Sequence, residues 1–153
     1  MAGAACIVLA ILLGGIDLLI KRHMELRELP ADGKKPVLGG RIILRRSRNR
    51  GAAFHIGERK STLVAALSVF LTIGTAVCLI VTLGQKQSPL LAAGLTLLLG
   101  GAFSNTYDRL KRKYVLDYFS FGVRWRWLQN IVFNLADFCI IIGALLAALG
   151  GAR

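Results

Sequence analysis

The chain has 153 residues, 55% of them hydrophobic, and its 20 Lys and Arg outnumber its 8 Asp and Glu for a formal net charge of +12. A mean hydropathy of +0.60 excludes an ordinary water-soluble domain and points to one compact unit, residues 1–153, that crosses a membrane several times. The basic residues flank apolar runs and mingle with aromatics, so anionic lipid headgroups are the expected counter-charge, at ~1 kcal/mol per residue near the surface, and nucleic acid is not.

The first apolar run is Ala4–Ile20, "AACIVLAILLGGIDLLI". No Lys or Arg precedes Lys21, and Asp17 sits near the end of the run, so it reads as a span rather than a cleaved leader. Asp17 and Lys21 stand at i, i+4, the spacing of a helix-end ion pair. A polar segment, Lys21–Ser61, holds 12 of the 20 basic residues. Pro30, Gly33, Pro36, Gly39 and Gly40 punctuate it with turns, and "RIILRRS", Arg41–Ser47, predicts a short strand along the membrane surface.

The second run, Thr62–Leu83, and the third, Pro89–Asn105, are joined by "GQKQS", a tight helical hairpin. A second basic segment, Arg109–Trp127, leads to the fourth run, Leu128–Leu149. Tyr114, Tyr118, Trp125 and Trp127 in that segment suit an aromatic belt at the membrane interface. At ~1.5 Å per residue, about 20 residues cross the ~30 Å hydrocarbon core, so the first and third runs are short and call for tilt or local thinning. The expected fold is an all-α membrane protein of four transmembrane helices, about 4–20, 62–83, 89–105 and 128–149, with a small β-rich loop, 21–61, on the membrane surface. It is expected to be a monomer.

Cys6, Cys78 and Cys139 all lie in apolar runs without CxxC spacing, which reads as small buried hydrophobes rather than a disulfide framework or zinc site. His23 and His55 have no ligand-spaced partner, so neither a metal centre nor a Ser-His-Asp triad is supported, and no cofactor is expected.

The third run ends "GGAFSNTYDRL", with Asn105 and Asp108 at i, i+3. Asn134 and Asp137 repeat that spacing in the fourth run. On a helix it places Asn and Asp on one face, a turn apart. Counted from Leu128, Asp137 lies about 13 Å along its helix, and a carboxylate deep in hydrocarbon costs roughly 2.5–3.5 kcal/mol on insertion scales. The two runs are consecutive, so both carboxylates are expected to meet below one membrane surface. Facing carboxylates share a proton near neutrality, the arrangement with which aspartic proteases activate water and protonate a carbonyl. Asn105 and Asn134 would hold the carboxylates, and Arg109 would pair with one of them or with a lipid phosphate. Two other uses of such residues stay open: interhelical glue at about 0.6 kcal/mol each, and a proton or cation site in a small transport subunit.

In order along the chain, these motifs resemble lipoprotein signal peptidase (signal peptidase II), the membrane aspartic peptidase of bacteria. "NRGAAF", Asn49–Phe54, is similar to that family's box after the first span. "GGAFSNTYDRL" is similar to the box carrying the first catalytic Asp, "VLDYFSF", Val115–Phe121, to the box that follows, and "FNLADFCIIIG" to the box carrying the second. The resemblance implies a catalytic dyad of Asp108 and Asp137, supported by Asn105, Arg109, Asn134 and Ala136. Asn49 and Gly51 would belong to a polar loop, a small sheet, covering the site. Asp17 and Lys21 match the family's first-span Asp and Lys, whereas Leu18 stands where the family usually has Gln.

The implied substrate is a prolipoprotein already lipidated on its lipobox cysteine and cut just before that cysteine, with no metal or organic cofactor. A catalytically silent relative that binds lipidated proteins is the alternative within this resemblance. Family topology would keep both termini in the cytoplasm and place the 21–61 and 109–127 segments outside. Those segments hold 18 of the 20 basic residues, so the positive-inside rule alone predicts the reverse. The outer placement is expected here, because a lipobox cysteine is reached after export.

Overall fold

The computed structural model describes residues 2–31, 33–51, 60–85 and 88–152. Ala52–Phe54 of the "NRGAAF" box, His55, and the middle of the expected Gly84–Ser88 hairpin lie outside the described residues. The described elements are helices α1 (Ala2–Leu26), α2 (Ser61–Gly84), α3 (Pro89–Lys111), α4 (Arg126–Asn130) and α5 (Leu135–Gly151), and strands β1 (Lys35–Val37), β2 (Ile42–Asn49) and β3 (Val115–Phe121).

Gly3–Leu26, Ser61–Gly84 and Pro89–Lys111 are long and apolar enough to cross a membrane, and α5 is a shorter apolar helix of 17 residues. The chain is thus a mostly helical, multi-pass membrane protein. Two boundaries differ from expectation. α3 runs on to Lys111, so Asn105 and Asp108 lie within a helix rather than at its end. α5 begins at Leu135, not Leu128, because the residues before it stay extended: the Phe133 N–H donates to the Phe119 carbonyl at 2.7 Å, and the Phe133 carbonyl accepts from Tyr118 N–H at 2.9 Å. Asp137 is therefore the third residue of a helix, capped by Asn134, and not a carboxylate stranded mid-span.

α3 is the central helix, packed against α1, α2 and α5. Of its most apolar window 44% is buried, against 17% in α1 and 6% in α2. Hydrocarbon offers no hydrophobic drive between helices, so their association relies on close packing of small residues. A Cβ on Gly14 of α1 would lie 2.9 Å from the Gly100 carbonyl oxygen, and one on Gly101 would run into the Ala136 carbonyl of α5. α2 is tied to α3 by a 2.8 Å hydrogen bond between the Thr72 and Thr106 hydroxyls. Large side chains such as Phe70, Ile80 and Leu145 remain exposed, as a lipid-facing surface requires. Cys139 is buried, but Cys6 is half-buried and Cys78 is exposed on α2. The expectation of three buried thiols fails because α1 and α2 bury little of their apolar surface, 17% and 6% of their most apolar windows, and a thiol facing lipid costs little.

The three strands form one antiparallel sheet in the order β1-β2-β3. Its third strand comes from the second basic segment, so the sheet extends beyond the 21–61 loop. Ser47 pairs with Asp117 and Asn49 with Val115, after a register shift between Leu44 and Ser47, the local kink a bulge introduces. β3 is buried over Val115, Leu116, Asp117 and Tyr118. Leu116 and Tyr118 pack with Met24 at the end of α1, and alternation along the strand turns Val115 and Asp117 the other way. Tyr118 is thus a core residue, 5% exposed, instead of an interfacial one. Trp125 and Trp127 are exposed and stacked, with ring centroids 6.5 Å apart.

Candidate active site

Where α2, α3, α5, the Val115–Asp117 part of β3 and the extended Ile131–Phe133 segment meet, they enclose a cavity of about 450 Å³. Asn49, Asn105, Arg109, Asp117 and Asp137 supply its polar wall. Val64, Leu67 and Leu71 from α2 and Ile140 and Ile141 from α5 make the opposite wall apolar.

Asn134 organises the polar wall. It precedes α5 in extended conformation and closes a capping box: its side-chain oxygen accepts from the Asp137 N–H at 2.9 Å, and its own N–H donates to Asp137 Oδ2 at 3.0 Å. The same side chain's Nδ2 donates to Asp117 Oδ1 at 2.7 Å. One fully buried asparagine thereby joins the carboxylate of β3 to that of α5. Asp137 Oδ1 accepts in addition from Asn105 Nδ2 at 3.1 Å. Asp137 also benefits from its place in the first helical turn, where the backbone dipole favours negative charge.

Asp108 is not on this cavity. It is 0% exposed, and its Oδ2 lies 3.0 Å from Lys21 Nζ, with Arg112 3.3 Å from Oδ1. Lys21 also pairs with Asp17 at 2.7 Å and donates to Ser104 Oγ and Asn105 Oδ1 at 3.1 and 2.9 Å. Asp17 accepts from the Ser104 hydroxyl, from the Tyr118 phenol and from the Leu135 N–H that opens α5. Burial, and then the Asp17 carboxylate, push the Tyr118 phenol far above its usual range, so it stays a donor. The result is a buried charged hub linking α1, α3, β3 and α5.

The expected meeting of Asp108 with Asp137 is therefore corrected: the structure brings Asp137 together with Asp117. The reason lies in helix geometry. At about 100° per residue, Asn105 and Arg109 share the α3 ridge that faces the cavity, while Ser104 and Asp108 share the ridge that faces Lys21.

The remaining expected residues fall around the same two centres. Arg109 lines the cavity and donates to the Asn105 and Gly51 carbonyls at 3.3 and 3.1 Å, with no ion pair among the described residues. Asn49, which lines the cavity, accepts at Oδ1 from the Gly51 N–H at 2.9 Å, a local turn whose Gly51 carbonyl in turn accepts from Arg109. Ala136, 1% exposed, lets α5 approach Gly101 and offers no polar side chain to the cavity. Asp117 is the residue that motif reading misses. Its signal is the two-residue alternation of "VLDYFSF", which sets Asp117 opposite the core-facing Leu116 and Tyr118.

The signature of the family described as "Signal peptidase (SPase) II" matches residues 8–152. A lipoprotein signal peptidase of Nitratidesulfovibrio vulgaris (strain DP4) is 36% identical over 123 residues, 78% of this chain and 72% of that protein. One from Moorella thermoacetica is 33% identical over 144 residues, covering 92% of this chain and 87% of the relative. Among solved structures, one described as a bacterial membrane enzyme shares the fold with a TM-score of 0.78 at 21% identity, over 97% of this chain and 88% of that one.

Proposed function

The chain belongs to the signal peptidase II family and is a transmembrane protease of lipoprotein processing, and we propose that it is an aspartic endopeptidase whose dyad is Asp117 and Asp137. The observation that carries this reading is the single Asn134 side chain bonded to Asp117 and capping the helix turn that holds Asp137, at the wall of one cavity. Asp108 holds the scaffold.

Two carboxylates joined through Asn134, Asp117 by its side-chain amide and Asp137 by its backbone N–H, hold one proton between them. The ionised member takes a proton from water, and the water oxygen bonds to the scissile carbonyl carbon. The protonated member gives its proton to the carbonyl oxygen, forming a tetrahedral diol. Collapse then breaks the C–N bond: the ionised carboxylate takes one hydroxyl proton while the protonated one gives its proton to the departing nitrogen, which leaves a carboxylic acid, an amine and a dyad holding one proton again. Arg109 and Asn49 position the substrate backbone at the polar wall.

The substrate is a prolipoprotein carrying a diacylglyceryl group on its lipobox cysteine, cut just before that cysteine. The apolar wall from α2 and α5 takes the signal peptide and acyl chains. α5 is the fourth span of a single-domain monomer. The sheet rests on the outer face of the bacterial cytoplasmic membrane, where exposed basic residues meet anionic headgroups. No metal or organic cofactor takes part.

The test is cleavage of a purified diacylglyceryl-modified prolipoprotein in detergent, with products read by mass spectrometry. A released peptide ending immediately before the lipidated cysteine supports the reading. No product from folded enzyme on several such substrates supports a silent lipoprotein-binding relative.

A further inference from the structure

The buried hub around Lys21 touches the proposed dyad at one point. Lys21 is 0% exposed, and an ammonium group can only donate hydrogen bonds. Acceptors converge on it: Asp17 Oδ2 at 2.7 Å, Asp108 Oδ2 at 3.0 Å, Asn105 Oδ1 at 2.9 Å and Ser104 Oγ at 3.1 Å. The Ser104 hydroxyl in turn donates a hydrogen bond to Asp17 Oδ2 at 2.6 Å. Two carboxylates already satisfy the charge of Lys21, so its contact with a neutral amide of the cavity wall is not needed for pairing.

That contact decides which end of Asn105 faces which way. Turned over, the Asn105 NH2 group would point at an ammonium group that accepts nothing, and its oxygen would face the Asp137 carboxylate, acceptor against acceptor. With Lys21 in place, only the arrangement seen here satisfies both ends, and Nδ2 donates to Asp137 Oδ1 at 3.1 Å. We propose that Lys21 is a positioning residue for peptide cleavage, acting from outside the cavity by fixing the orientation of the Asn105 amide that holds Asp137. The inference rests on Asp137 being a member of the dyad. It assigns Lys21 a role distinct from ion pairing, and it predicts that the cost of losing Lys21 passes through Asn105.

A double-mutant cycle tests this, since coupled residues give non-additive effects and a merely structural residue does not. Lys21→Met alone strips Asp17 and Asp108 of their shared cation, so the loss of Lys21 is measured where one of those carboxylates is already neutral and the double variant keeps the wild-type net charge: Asp108→Asn against Lys21→Met/Asp108→Asn. Asp17→Asn against Lys21→Met/Asp17→Asn is the second pair if the first does not fold. Cleavage of the lipidated substrate is followed with enzyme in excess and at steady state.

In the Asn105 background, Lys21→Met lowers kcat at least tenfold and leaves KM within about twofold. In the Asn105→Ala background the same substitution costs less than threefold. If Asn105→Ala turns over too slowly to follow, the cycle is read from affinity for a substrate peptide whose scissile bond is replaced by a non-cleavable hydroxyl-bearing isostere. Equal losses in both backgrounds, or a loss in KM alone, would overturn the role given to Lys21. Wild-type cleavage by Asp137→Asn would instead overturn the dyad on which the inference stands.

Discussion

Asn134 donates its side-chain amide to Asp117 at 2.7 Å, across a gap of 17 residues that includes the end of one strand and a short helix. The bond ties the sheet to the helix that carries Asp137, and the proposed chemistry depends on that connection.

Replacing Asn134 with Ala removes an N-cap and the bridge between the carboxylates together. Loss of an N-cap costs about 1 kcal/mol, so the protein stays folded with a modestly lower Tm in detergent. Cleavage falls by at least ~100-fold, the scale of a lost positioning contact at a reacting group. Tm and kcat measured on one preparation separate the two effects.

Asp108 and Asp117 are predicted to fail differently. Asp108→Ala takes from Lys21 one of its two buried carboxylates, leaving Asp17, and leaves Arg112 with Glu25 alone, and breaking one side of a buried pair costs about 3–5 kcal/mol. Its signature is a large loss of Tm and of yield. Asp117→Ala abolishes cleavage with a much smaller fall in Tm. Thermal unfolding of both variants in the same detergent checks the contrast.

Gly101 packs its α-carbon against the Ala136 backbone and the Cys139 and Ile140 side chains. Gly101→Val forces α3 and α5 apart and costs about 1–3 kcal/mol or more by overpacking. Because Asn105 lies one turn further along α3, activity falls with stability. Gly15→Val on α1, where a Cβ would meet nothing within 4 Å, is the control and leaves both near wild type.

Arg22, Arg46, Arg48, Lys111 and Lys113 are exposed around the ends of α1, β2 and α3. If this rim meets the outer-leaflet headgroups, cleavage in nanodiscs is faster with anionic phosphatidylglycerol than with phosphatidylcholine alone. The advantage shrinks as salt rises, because the Debye length drops from about 10 Å at 0.1 M to about 3 Å at 1 M. In a background without Cys6, Cys78 and Cys139, a membrane-impermeant thiol reagent labels Ser47→Cys from outside intact cells and spares Gln85→Cys. The reverse pattern would invert the proposed orientation.

Much of the helical framework is legible in the sequence because apolar length is a local property, and the strand predicted over Arg41–Ser47 overlaps β2 for the same reason. The pairing of Asn134 with Asp137 is legible because an i, i+3 relation lies within one helical turn. The start of α5 is not: Leu128–Phe133 is apolar enough to continue a helix, and only the bonds of Phe133 to β3 hold it extended. Nor is the choice between Asp108 and Asp117. Both stand in short polar stretches after the third run. Which one reaches Asp137 depends on a long-range partner, Lys21 of α1, drawing one ridge of α3 away from the cavity. It also depends on strand pairing that turns Asp117 toward the cavity.

The most direct test of the proposed dyad compares three isosteric variants, Asp108→Asn, Asp117→Asn and Asp137→Asn, in one cleavage assay on a diacylglyceryl-modified prolipoprotein. Each is first shown to be folded by its Tm. The dyad predicts no detectable product from Asp117→Asn or Asp137→Asn and measurable product from Asp108→Asn. Product from Asp117→Asn at the wild-type rate, with none from a folded Asp108→Asn, would contradict it.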